Sequence, residues 1–221
     1  MSADQQTVDI YNKHISDYEE LMSKELKDTN LDIFIKMISI EGKVLDLGCG
    51  TGSASLELMK RGFSTFPVDA SIEMVKVAES LLKIKVRKIS FDEIDEHNFY
   101  HAIWANFSLL HITKSQFSDI LKILFFALKE EGVLFFSLKQ GAGENRDKLG
   151  RFIATMKRTK SKNILKKQTF KLKNIRKAFV LAWPAIMKIG WVFFAKRFDN
   201  KMVQSHTCHG VNLCWTCRVH E

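Results

Sequence analysis

The chain has 221 residues, of which 46% are hydrophobic and 27% charged, and carries a formal net charge of +9. That length and apolar share exclude a disordered or fibrous chain and fit one globular domain with a sizeable core. The first residues, Ser2-Ala3-Asp4-Gln5-Gln6, show no basic start followed by an apolar run, so no secretory signal is expected, and four cysteines suit the reducing cytoplasm better than a disulfide framework.

Apolar periodicity predicts helices near 7–27 and 30–39, and then a strand near 43–48. That strand runs into Val44-Leu45-Asp46-Leu47-Gly48-Cys49-Gly50-Thr51-Gly52. Alternate glycines let the backbone turn sharply and approach a ligand closely, and the helix expected at 53–61 points its free N–H groups at the same spot. A dinucleotide fingerprint, Gly-x-Gly-x-x-Gly, requires glycine or alanine at position 53. Here Ser53 stands there and the third glycine comes one place early, at Gly52. The next strand, near 63–69, ends in Asp69, about 20 residues past the loop, where an acid accepts ribose hydroxyls. Ser71 is a suitable N-cap for a helix over 71–82, and Met74 on that helix can lie against a purine or serve simply as a core methionine. Strands near 84–90, 100–106 and 132–138 and a helix near 115–129 complete the alternation. This is the rhythm of an α/β, doubly wound, mostly parallel sheet with helices on both faces. Gly132-Val133-Leu134-Phe135-Phe136-Ser137-Leu138 is the nearly continuous apolar run of a strand buried on both sides.

On the glycine loop, Asp69 and the Ala70-Ser71-Ile72-Glu73-Met74 helix start, the chain resembles the class I, Rossmann-like S-adenosylmethionine-dependent methyltransferases, in particular the small stand-alone bacterial type, over roughly residues 8–152. The resemblance implies S-adenosylmethionine as cofactor and methyl transfer to a small soluble acceptor. It places Asp46 at the methionine end of the cofactor and Gly48, Cys49, Gly50 and Gly52 against it, with Asp69, Ala70 and Met74 around the nucleoside. Ser90, Phe91 or Asp92 would stand near the adenine, and Ala105 at the end of the fourth strand. Tyr11 and Tyr18 on the first helix and Asn106 and His111 after the fourth strand would lie toward the acceptor. His111 is the one candidate base, with a structural histidine as the alternative reading. Transfer from a sulfonium is an in-line displacement in which positioning does most of the work, so no catalytic residue is assigned. Arg146, in the loop Lys139–Asp147, is read as a partner for an anionic substrate or as a solvated arginine. No metal is expected.

Beyond Phe152 the composition changes: residues 153–221 hold 15 Lys and Arg against 2 Asp and Glu, while residues 1–152 hold 19 against 23. The expected division is therefore a methyltransferase domain over 1–152 and an anomalous basic tail over 153–221. Taken at face value, the tail suits nucleic acid or an anionic membrane surface. Ala178 to Ala195, apolar apart from Lys188, suits an interfacial segment, and Cys208, His209, Cys214, Cys217 and His220 could be argued to be a zinc site. One lost base at the Phe152 codon accounts for all three oddities. Re-read one base earlier with free choice of synonymous codons, Ile153 to Phe170 gives YSYYEENEIKEYFKKTNF, an acidic amphipathic helix. In the same frame Ala182 to Phe198 gives GLAGDNEDWLGVFCQKV, a turn and a strand. The chain as written would then lack its antiparallel sheet edge.

Overall fold

A computed structural model describes residues 3–23, 28–39, 41–167, 170–182 and 186–197. Helices α1 (Gln5–Lys13), α2 (Ile15–Ser23) and α3 (Thr29–Ile35) lead into β1 (Lys43–Leu47), α4 (Ser53–Lys60), β2 (Ser64–Asp69), α5 (Ile72–Leu82) and β3 (Arg87–Lys88). Then come β4 (Tyr100–Ala105), α6 (Phe117–Ala127), β5 (Leu128–Lys139), β6 (Glu144–Arg146), β7 (Phe152–Ala154), α7 (Arg158–Lys167), β8 (Phe170–Ala182) and β9 (Ile186–Arg197). The main sheet runs β3-β2-β1-β4-β5-β9-β8. Strands β1 to β5 are parallel, and β9 joins β5 and β8 antiparallel.

Strict alternation sends each strand's side chains to two cores. Leu45, Leu47, Ile103, Ala105, Leu134, Phe136 and Leu138 pack with Phe117, Ile120, Leu121 and Leu124 of α6 on one face. Val44, Ala102, Trp104, Val133 and Phe135 pack with Leu31 and Phe34 of α3 and Leu58 of α4 on the other. Burial on both faces is why these strands read as apolar runs. Strand β9 continues both layers: Phe193 stacks on Phe136 at 4.7 Å, and Phe194 meets Phe135 at 5.1 Å.

Four boundaries differ from expectation. The helix expected over 7–27 bends at His14, whose φ of −110° and ψ of 31° end α1, although hydrogen bonds continue on either side; its last residues, 24–27, lie outside the described set. The helix expected over 30–39 stops at Ile35, because the Met37 N–H bonds back to the Phe34 carbonyl in a tighter turn. Strand β3 is only two residues long, since Ser90 and Glu93 form a capping box that starts a 3₁₀ turn over Phe91–Glu93. Strand β5 begins four residues early: a bulge opposite Tyr100 to Ala102 absorbs Glu131 at φ 59°, which also shortens α6.

The hairpin β8–β9 occupies the antiparallel edge with residues of the basic stretch. The Cys208-to-His220 cluster lies outside the described residues. Among the described residues, no helix is long and apolar enough to cross a membrane.

Candidate functional site

A cavity of about 190 Å³ lies over the carboxyl ends of β1, β2, β4 and β5. This is the crevice where ligands bind in open parallel sheets. Its floor is the loop after β1. The Gly48 and Cys49 N–H groups both donate to the Val68 carbonyl at 2.9 Å, pinning the loop to β2. Gly48 has φ 74°, and a Cβ there would sit 2.5 Å from the Ser108 Cβ. Gly50 has φ 55° and faces the Tyr18 ring, 3.4 Å from where its Cβ would be. The glycines therefore keep both the backbone turn and the space above it.

At the end of β2, Asp69 accepts from the Gly50 N–H through one oxygen and from the Ser71 N–H through the other, each at 2.9 Å. Burial pushes its pKa up, opposed by the backbone N–H groups of Ser71, Gly50 and Ala70. Asp69 lines the cavity, and its carboxylate is an acceptor of the kind a ribose hydroxyl requires. Ser71 caps α5 by accepting from the Met74 N–H at 3.2 Å. Ala70, Met74 and Phe91 complete this end of the wall.

Across the cavity, α1 is held down at several points. Asp4 caps it, accepting from the Thr7 N–H at 2.9 Å. The Asn12 side-chain Oδ1 accepts from the Ser71 hydroxyl at 2.7 Å. The Tyr11 Oη and His111 Nε2 are 2.9 Å apart. The His111 Nδ1 lies 2.8 Å from the Phe152 carbonyl, which can only accept, so Nδ1 carries the proton and the Tyr11 hydroxyl donates to Nε2. Arg151 Nη1 donates to the Tyr11 oxygen at 3.1 Å and is itself gripped by Asp147 through Nε at 3.0 Å and Nη2 at 2.7 Å. Burial, with the Arg151 and Lys139 charges, lowers the His111 pKa to about 4, so the ring is neutral at physiological pH. Burial raises the Tyr11 pKa against the pull of Arg151, and the phenol stays protonated.

Of the residues expected from sequence, Tyr11, Tyr18, Gly48, Gly50, Asp69, Ala70, Met74, Phe91, Asn106 and His111 line this cavity. Seven others stand elsewhere. Asp46 is 2% exposed and accepts from Ser55 Oγ of α4 at 2.7 Å; burial raises its pKa to about 7. The Cys49 side chain packs with Val75, Ala78, Leu82 and Val86. Gly52 makes room for Ala78 and Leu82 of α5 rather than for a ligand. Ser90 bonds to Asp92 and Glu93, and Ala105 is wholly buried in the core. Arg146 pairs with Asp4 at 2.9 Å, and the arginine on the wall is Arg151. Sequence reading also missed Asp4, Thr7, Ser108 and Lys139 on the wall. The Asp147-x-x-x-Arg151 spacing was the available signal for Arg151. Ser108 gave none, because its place depends on how tightly the turn after β4 folds onto Gly48.

A parallel sheet closed by an antiparallel hairpin, with a glycine loop after β1 and an acid ending β2, defines a Rossmann-like nucleoside-binding protein. Residues 44–132 match the family model described as a methyltransferase domain. The chain is 31% identical over 140 residues to YqeM of Bacillus subtilis (strain 168), named as a methyltransferase, covering 58% of this chain and 55% of that protein. It is 26% identical over 137 residues to a carboxy-S-adenosyl-L-methionine synthase of Nautilia profundicola, covering 59% and 56%. Among solved structures it resembles the 1,6-didemethyltoxoflavin-N1-methyltransferase of Burkholderia thailandensis, with TM-score 0.71, 15% identity and 90% and 92% of the two chains covered. The match spans little more than half the length of such curated relatives. These likenesses show the Rossmann-like methyltransferase fold, with a methyltransferase domain matched over residues 44–132.

Proposed function

We propose that this chain binds S-adenosylmethionine in the cavity over β1 and β2 and transfers its methyl group to a small-molecule acceptor held under α1. The observation that carries this reading is the tie between Gly50 and Asp69, which sets an acid for a ribose beside a loop that Gly48 and Gly50 hold at positive φ. The neighbour from Burkholderia thailandensis was solved with 1,6-didemethyltoxoflavin and S-adenosylhomocysteine, which agrees with a small acceptor. The cofactor supplies a methyl carbon already activated by its sulfonium. Gly48 and Gly50 leave space for its amino-acid portion, Asp69 accepts the ribose hydroxyls, and Met74 and Phe91 offer apolar surface to the base.

Tyr11 and His111 then provide a place for the acceptor's proton. The Tyr11 oxygen can take a proton from an acceptor O–H or N–H while its own proton passes to His111 Nε2, leaving an imidazolium that loses Nδ1–H or Nε2–H to water after release. The low basicity of His111 makes this path useful to acidic acceptors and dispensable for others.

Titration calorimetry with S-adenosylhomocysteine tests the reading. Micromolar binding is expected in the wild type, with about a tenfold loss or more in Asp69→Asn, since one charge-assisted ribose bond is worth about 1.5–3 kcal/mol. Unchanged binding in Asp69→Asn would place the cofactor elsewhere. Transfer of a labelled methyl group to a metabolite extract would then fix the activity.

A further inference from the structure

Tyr11 and His111 share one proton, and two neighbouring groups decide which way it points. The Phe152 carbonyl, 2.8 Å from His111 Nδ1, can only accept, so the ring presents a bare Nε2. Arg151 Nη1, 3.1 Å from the Tyr11 oxygen, can only donate, so the phenol hydrogen is turned away from it and toward Nε2 at 2.9 Å. Tyr11 lines the cavity, and its oxygen therefore takes part there as a hydrogen-bond acceptor whose own proton is committed to His111.

Arg151 can impose this direction only if it is itself fixed, and the loop before it is closed on itself. Asp147 Oδ1 accepts from the Leu149 and Arg151 N–H groups, each at 3.0 Å. Its Oδ2 accepts from Arg151 Nε at 3.0 Å and Nη2 at 2.7 Å. The Asp147 N–H returns to the Arg151 carbonyl at 2.9 Å, and Arg146 ties the same loop to Asp4 at the start of α1. Arg151 is 4% exposed, and its guanidinium carbon stands 5.3 Å from the centre of the Tyr11 ring. The surrounding charges act in the same sense. Burial and the Arg151 and Lys139 charges favour the neutral His111 ring, whereas the Phe152 bond and the Asp147 charge favour the protonated one.

We propose, on the methyl-transfer reading above, that Arg151 is a positioning residue: clamped by Asp147, it turns the Tyr11 hydroxyl toward His111 and keeps that histidine able to receive the proton. In the step it serves, the proton leaves the acceptor's O–H or N–H for the Tyr11 oxygen as the Tyr11 proton moves to Nε2. The electron pair so released on the acceptor closes on the methyl carbon, and the pair of the broken C–S bond returns to sulfur.

The test uses the full chain. Calorimetry with S-adenosylhomocysteine comes first; absence of binding, or of any labelled methyl transfer from S-adenosylmethionine to a metabolite extract, overturns the methyl-transfer reading and the role of Arg151 with it. Nitrogen NMR of histidine-labelled protein then follows the His111 ring, assigned by its loss in His111→Gln. The wild type is expected to hold the Nδ1–H tautomer and to stay neutral as pH falls from 8 to about 5, since its pKa lies at about 4. In Arg151→Gln, or in Arg151→Met if the glutamine variant fails to fold, the ring should protonate about one pH unit higher, a tenfold gain in basicity, with the tautomer unchanged. Arg151→Lys should return the curve toward that of the wild type. The acid limb of the methyl-transfer rate should move up by the same amount, a comparison in which the acceptor's own ionisation cancels. An unchanged His111 curve overturns the proposal while bound S-adenosylhomocysteine leaves the methyl-transfer reading standing. So does a switch to the Nε2–H tautomer, the mark of a ring merely released to water. A shifted ring with an unshifted rate profile overturns it too, because His111 would then receive no proton during transfer.

Discussion

Gly48 is the least replaceable residue of the cavity floor. At φ 74°, with Ser108 where its Cβ would go, alanine must move either the loop or the turn after β4. The left-handed conformation alone costs a non-glycine residue about 1–2 kcal/mol. Gly48→Ala is expected to lower the thermal midpoint and weaken S-adenosylhomocysteine binding at least tenfold by calorimetry, whereas Gly62→Ala, with nothing within 4 Å of the new Cβ, should leave binding intact. His111 carries a different signature. Its folded pKa of about 4 lies below the ordinary 6.5, so the unfolded chain binds the proton more tightly. The stability its neutral ring provides is complete above pH 6.5 and is lost as pH falls toward 4, by at most about 3 kcal/mol. Melting curves from pH 7 to 4.5 should fall less steeply in His111→Gln. At this scale the sequence revealed whatever backbone chemistry dictates, namely Gly48, Gly50, Asp69 and the Ser71 cap. It hid Asp46's turn toward Ser55 and the exchange of roles between Arg146 and Arg151, because only packing decides which side of a loop a side chain takes.

Helix α1 is the element on which the cavity depends. It is short, and its contacts with the sheet domain run through Asp4, Asn12 and Tyr11 rather than through a large apolar face. Asp4 both caps the helix and pairs with Arg146, which holds its pKa at about 2. Asp4→Ala should cost about 1 kcal/mol through the lost cap and speed amide exchange in Val8 to Lys13 by several-fold. Exchange in α5 should not change, and if it does, α1 is part of the core rather than an appended cover. The parallel strands β1, β2, β4 and β5 were legible because burial on both faces leaves continuous apolar runs. The bend at His14 was not, since the apolar period continues through it.

At the scale of the whole molecule, the last third supplies the antiparallel edge of the sheet through β8 and β9. Strand β9 fills the slot beside β5 because Val192, Phe193, Phe194 and Ala195 are apolar on both faces, which is all that position demands. The sequence did not reveal this, because composition obscured it: 15 basic residues among 153–221 read as a tail. Phe193→Ala is expected to cost about 3–5 kcal/mol if β9 is part of the folded protein, measured by denaturant unfolding. We propose separately that the gene has lost one base at the Phe152 codon. DNA sequence through the codons for Gly150 to Ile153 decides it. An additional T replaces residues 153–221 with an acidic helix and a different closing strand, and confirmation of the present frame discards the proposal.

The clasp between Asn12 and Ser71, with Tyr18 poised over Gly50, has a kinetic consequence. If the proposed cofactor enters beneath α1, its exchange is expected to require that the Asn12–Ser71 bond open. Asn12→Ala is then expected to speed release of S-adenosylhomocysteine in stopped-flow dissociation, whereas an unchanged rate would separate the clasp from ligand exchange.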